Sequence, residues 1–428
     1  PAAFFGALAF QYSDPLLIHL GNLNLIAVLS WLPWVMAVFH RALAERSLRW
    51  AALAGLLFAL ANYAGHAQSS LYIGLALAIY AVVWSCVQIG DQRLESGDRR
   101  SPEWKPNLKP LVSNLQSLLL TLVIAGLLTA PILLPALELA GYSERSQFSY
   151  QQTVNFSLAP AQLIGLVTPG FFGHGPALHW GLWERVETPF AGVAALILAV
   201  AGVLLADGAI RRRLWPWLAI ALFGLVSALG IYAILHGWLT WLLPLFGQLR
   251  APARGLVLWT FAVAVLAALG FELVCRSWPA LRRTAAGGPP ASGAAPPADG
   301  VAALDFILKA GALLLAVVFT PLLYNTLLLT QADPTAFLRT SVAALAITIA
   351  AGCWLATWAL IAARRAGWIG PSLFALLLIA VLYFDLSAAG AYTDISPSDP
   401  TTGFQHDEIV QFLHNEPGRF RIDSDTDS

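Results

Sequence analysis

Few residues in this 428-residue chain could do chemistry, because only 11% of it is charged. Arg250-Ala-Pro-Ala-Arg254 sets two guanidiniums directly before an apolar run. Guanidinium forks match phosphate oxygens two at a time and stay charged at any working pH. The bland reading of the pair is snorkelling to ordinary lipid head groups. Glu138 follows an apolar run, where an ionised carboxylate is costly without a partner, and Arg145 in the same stretch can supply one. His174 stands beyond it with His179, Trp180, Glu184, Arg185 and Glu187, a mixture able to hold a sugar or a lipid head group. Asn62-Tyr-Ala-Gly-His66-Ala-Gln68 carries an imidazole and two amides in an otherwise apolar setting, although turns and caps account for Asn and Gly there. Asp14, His19, Asn22 and Asn24 form a fourth polar cluster. Asp14 also suits a helix cap.

The elements that must position these residues are apolar blocks. Hydrophobic residues make up 58% of the chain, whereas a soluble domain carries about 25% charged residues to cover its surface. A hydrocarbon core of about 30 Å takes roughly 20 helical residues to cross. Backbone polar groups in lipid must be satisfied within the segment, so Leu/Ala/Val/Ile runs without alternation read as helices. The expectation is an all-α polytopic transmembrane bundle with about eleven spans, near 19–40, 49–64, 68–89, 111–135, 156–172, 189–206, 214–230, 255–275, 304–329, 337–362 and 368–387. The piece 231–246 is interrupted by His236, Gly237 and Pro244 and reads as re-entrant or interfacial, with Trp238 and Trp241 suited to an interface belt.

Basic residues cluster at Arg41/Arg46/Arg49, at Arg93 to Lys109, at Arg211-Arg212-Arg213, at Arg276/Arg282/Arg283 and at Arg364-Arg365. These five clusters are expected on one side, which the positive-inside rule makes cytoplasmic. Asp14, His66, the loop 135–188, Arg250, Arg254 and the tail after Ala388 are then expected outside.

Residues 1–283 read as the main transmembrane body, and Pro1 to Phe10 as the end of a helix whose start lies upstream. Residues 284–303 read as a Gly/Pro/Ala-rich cytoplasmic linker, 304–387 as C-terminal spans, and 388–428 as an extracytoplasmic tail opening a further outer domain. Formal net charge is zero, which gives no field to attract nucleic acid. Cys86, Cys275 and Cys353 lie in apolar runs, without disulfide or metal spacing. The chain carries no phosphate-binding glycine loop, zinc-spaced histidine pair or nucleophile elbow.

Several short motifs follow one another in a suggestive order: Trp31-Leu-Pro-Trp34, Gly65-His66-Ala-Gln68 before Leu71-Tyr72, and Leu134-Pro-Ala-Leu-Glu138 with Ser143-Glu-Arg145. Pro169 with Phe172-Gly173 and then Arg250-Ala-Pro-Ala-Arg254 complete the series. Together they resemble, over nearly the whole chain, the bacterial YfhO-type membrane proteins of the glycosyltransferase-C-like superfamily. The resemblance implies sugar transfer at the outer face of the bacterial inner membrane. It implies a polyprenyl-phosphate-linked donor, and as acceptor a cell-envelope glycan or glycolipid. A divalent metal is left open, and a catalytic acidic residue is implied in an outer loop preceding Pro1. Under this reading Asp14 and Glu138 are the catalytic candidates. Arg250 and Arg254 hold donor phosphate, and His66, Gln68, Arg145 and His174 line the substrate site. The competing reading is a lipid or polysaccharide transporter without covalent chemistry, which calls for polar residues through the midplane.

Overall fold

A computed structural model describes residues 1–95, 107–143, 148–173, 179–181, 187–243, 246–285, 297–330, 332–390 and 407–415. It is all-helical, without a strand among the described residues. The chain divides into two units, Pro1–Tyr392 and Thr393–Ser428. In the second only one helix, Asp407–Asn415, is described, and the rest of the tail, including Arg419 to Asp423, lies outside the described residues.

The first unit begins with α1 (Ala2–Gln11), α2 (Asp14–Leu17), α3 (Leu23–Ser30) and α4 (Leu32–Glu45), followed by α5 (Leu48–Tyr63), α6 (Ala67–Glu95), α7 (Lys109–Gly141) and α8 (Tyr150–Thr153). It continues with α9 (Val193–Leu205), α10 (Gly208–Ala228), α11 (Ile234–Leu242), α12 (Leu256–Ala285), α13 (Ala298–Tyr324), α14 (Pro334–Ala366) and α15 (Pro371–Gly390). Seven of the described helical segments are long and apolar enough to cross a membrane: Leu23–Glu45, Ala67–Arg93, Lys109–Gly141, Pro252–Cys275, Ala298–Tyr324, Pro334–Ala366 and Pro371–Gly390. Ala2–Gln11, Leu48–Tyr63 and Val193–Leu205 are apolar but shorter.

The expected span at 156–172 is corrected. Its middle is a 3-10 helix, Pro160–Leu166, not a continuous α-helix. Leu158 N donates to Ala228 O at 2.8 Å, tying the stretch to the end of α10. Pro160 and Pro169 remove helical donors, and the Gln162 side chain caps the backbone of Ala159 at 2.8 Å. The shared side expected for the basic clusters depends on this correction. Three crossings between Arg93 and Arg211 would have separated those clusters, whereas two keep them together. The contacts agree, since Arg212 pairs with Asp91 and Arg364 Nη2 donates to Cys275 O at 2.8 Å. Arg365 pairs with Asp305 in turn. These basic segments therefore share one end of the bundle.

The core is centred on α12, which packs against α1, α9 and α10. Small residues let the axes close: a Cβ on Gly270 would lie 1.8 Å from the Leu198 carbonyl oxygen, a close approach of the kind that drives helix association in lipid. At the other extreme, only 11% of the apolar window of α13 and 22% of that of α7 are buried, so these helices present long faces to the surroundings. The C-terminal helices α13, α14 and α15 all pack on α9.

Candidate functional site

At the end opposite the basic loops, two pieces of chain far apart in sequence meet. Asp14 opens the short helix α2, but its carboxyl does not cap that helix. Its Oδ2 accepts from the Thr188 backbone N–H at 2.7 Å, and Asp14 N donates to Phe190 O at 3.0 Å. On the next turn, His19 Nε2 sits 2.9 Å from Glu187 Oε1. Glu187 is 1% exposed and the His19 side chain 11%. A carboxylate this deeply enclosed has to be hydrogen-bonded or paired to be tolerated. Desolvation pushes the Asp14 carboxyl up to about 7; the Thr188 hydrogen bonds oppose that rise and the neighbouring Glu187 charge adds to it. Asp14 thus changes charge near neutrality, where a proton acceptor works best.

The second half of the site comes from the start of α6 and the turn before α12. Arg254 Nη1 donates to Gln68 Oε1 at 2.9 Å. The Gln68 amide donates on to the Tyr72 hydroxyl and to Ala251 O, each at 3.3 Å. Tyr72 lies within coulombic range of both Arg254 and Glu187, and so joins the two halves. Ala251 takes a left-handed backbone, φ 62°, and its N–H donates to Asn155 O at 3.1 Å. Phe156, the next residue on that partner segment, is also left-handed at φ 63°. Such backbone is strained for a residue with a Cβ and persists only where neighbours dictate it.

Arg250 and Arg254 do not act as a pair in space. Arg250 is exposed, with its guanidinium 6.0 Å from the Phe156 ring centroid, whereas Arg254 turns into the site. His66 is the N-terminal cap of α6: its Nδ1 accepts from Ser69 N at 3.2 Å and lies 2.7 Å from Ser69 Oγ. Glu138 is not brought to the cluster. α7 continues six residues past the expected boundary at 135, through Pro131 and Pro135, to Gly141, and residues 131–139 are all exposed. Glu138 has no hydrogen bond or ion pair among the described residues. Arg145 and His174 lie outside the described residues, as do Glu184 and Arg185.

Beside α2 opens a cavity of about 700 Å³ between α1, the α3–α4 pair and α12, lined by Phe10, Leu16, Leu20, Ile26, Pro33 and Phe261. Gln11, Tyr12 and Ser30 supply its few polar groups. Among the described residues, no three His, Cys, Asp or Glu side chains converge on a point where a metal would sit. His19 and Glu187 are turned towards each other, and Asp14 towards the Thr188 amide.

Thr188 and Tyr72 emerge as site residues only in three dimensions, and so does the pairing of His19 with Glu187, which the sequence places in separate polar stretches. The signal for Glu187 was its place just before Pro189 and an apolar run, the same logic that singled out Glu138. A further carboxylate, Asp385, sits inside the last apolar span and is 2% exposed. Its lone charge in an uninterrupted run was itself the signal. Compared with family models, with curated proteins and with solved structures, the chain matches none.

Proposed function

We propose that this end of the bundle is the outer face of a cytoplasmic membrane and that the site transfers a sugar from a polyprenyl-phosphate donor to a cell-envelope glycan or glycolipid. One observation carries the reading. Glu187, beside the desolvated Asp14 carboxyl that titrates near neutrality, and a guanidinium held by a glutamine both lie within coulombic range of Tyr72, and an apolar cavity opens beside the helix that carries Asp14. These are the parts the reaction needs. The cavity takes hydrocarbon of the donor. Arg254, oriented by Gln68, meets the phosphate and stabilises the charge that develops on it as the bond from the sugar C1 to the phosphate oxygen breaks. Asp14 accepts the proton of the acceptor hydroxyl as its oxygen bonds to C1. Burial holds that carboxyl in its high-pKa state, with the Glu187 charge adding to the rise, and Glu187 with His19 shapes the acceptor side. Arg250, exposed over Phe156, serves the lipid head-group surface rather than the donor.

The test is incorporation of labelled sugar from a polyprenyl-phosphate donor by membranes carrying the full chain. Transfer that falls by about 10²-fold or more in Arg254→Ala and Asp14→Asn supports the assignment. Wild-type rates in both variants would remove it. Donor movement across vesicle membranes without any covalent product would establish the transporter reading in its place.

A further inference from the structure

We infer that Asp385, on the last span of the body, is a positioning residue that sets the spacing between the two halves of the carboxylate cluster. The need for it starts with the length of α9. Thirteen residues reach about 20 Å, short of a bilayer core, so its N-terminus falls inside the bundle, and the preceding segment 187–192 runs on from there without regular structure. Buried N–H groups at a helix start need an acceptor. The local N-cap, Gly192, supplies no side chain. The acceptor comes from α15: Asp385 Oδ2 takes the Val193 N–H at 2.6 Å, with the Ala194 N–H and the Cys353 thiol as further partners.

The segment 187–193 is pinned at successive points. Thr188 N meets Asp14, Pro189 O takes the Trp259 indole N–H at 2.9 Å, Phe190 O takes Asp14 N, and Val193 N meets Asp385. The last pin fixes its inner end to α15. Contact there is close. Gly192 has φ +98°, and a Cβ on it would stand 2.6 Å from Leu382 Cδ1 and 3.5 Å from Asp385 Oδ2. The same helix also backs the other half of the cluster, since a Cβ on Gly390 would lie 2.8 Å from Leu17 Cδ1 on α2. One helix thus supports both the segment with Glu187 and Thr188 and the helix with Asp14. A carboxylate suits this role, because it accepts several donors at once and its charge faces the positive end of α9.

The effect on sugar transfer rests on the function proposed above; the positional claim does not. The experiment therefore reads both, on the full chain purified in lipid nanodiscs, by amide hydrogen exchange and by labelled-sugar transfer. Asp385→Leu removes the acceptor, and exchange across residues 187–194 is expected to rise about tenfold while residues 256–275 keep their protection. Asp385→Asn retains an oxygen acceptor and is expected to stay within about threefold of wild type in both readouts. Transfer by Asp385→Leu should fall in step with the exchange. Gly192→Ala, which forces the segment off α15 with Asp385 intact, reads the same contact should Asp385→Leu fail to fold. Unchanged exchange at 187–194, or an equal rise over 256–275, overturns the inference. Exchange that behaves as expected in a protein with no transfer activity leaves the positioning role standing and overturns the sugar-transfer reading instead.

Discussion

The two ends of the bundle hold their charges differently. At the basic end, guanidiniums pair with carboxylates in the open: Arg41 with Glu45 at 55% and 47% side-chain exposure, and Arg212 with Asp91 at 38% and 37%. At the other end Glu187 and His19 are enclosed, and Asp14 and Arg254 are tied to chain far away in sequence. Exposed pairs contribute about 0–1 kcal/mol and are screened by salt. Buried ones cost desolvation that only good geometry offsets. The basic end therefore reads as the charge that orients the chain in its membrane. The opposite end keeps its charges at a desolvation cost.

That contrast can be broken at either end, and the effects should fall in order. Arg254→Ala should cut sugar transfer by about 10²–10³-fold, the loss expected when a preorganised donor to developing charge is removed. Arg250→Ala, at the exposed neighbour, should leave transfer within about threefold. Initial rates on membranes check both. Asp14→Asn should lower transfer by about 10²-fold.

The Asp14 substitution should also change how stability depends on pH. The native carboxyl, raised to about 7 from 3.8, binds more protons than the unfolded chain between those values. Wild-type stability should therefore fall as pH rises from about 4 to about 7 and level off above, and Asp14→Asn should remove that slope. Thermal unfolding in detergent at a series of pH values reads it. His19→Leu takes the imidazole from the enclosed Glu187 carboxylate and should cost about 2 kcal/mol of stability, seen as a lowered Tm. Smallest of all, Arg212→Ala at the basic end should shift stability by less than about 1 kcal/mol. A larger loss there than at His19 would invert the comparison.

The helical body was legible in the sequence because lipid demands long apolar runs, and such runs locate the helices without any tertiary information. Run length alone misled at 156–172, where two prolines and a Gln162 cap make a compact turn from residues apolar enough to cross. The halves of the site were visible only separately. Asp14 and the Arg250–Arg254 segment stood out by type and position, as did Gln68 beside His66. Their pairing did not, because the Asp14–Thr188 contact joins residues 174 apart and the Arg254–Gln68 contact joins residues 186 apart. Neither leaves a local pattern. Glu138 shows the converse: its place after an apolar run resembles that of a buried carboxylate, but α7 carries it past the packed body. Asp385, a lone charge within such a run, is the carboxylate that the packed body does enclose.

The sharpest measurement is the pH–rate profile of labelled-sugar transfer by the full chain in membranes, wild type against Asp14→Asn. The wild-type rate should climb through an acid limb near pH 7, where the Asp14 carboxyl gives up its proton, and the residual rate of the variant should show no limb there. A limb that persists unchanged in Asp14→Asn, or its absence from the wild type, would contradict the claim that this desolvated carboxyl takes the proton.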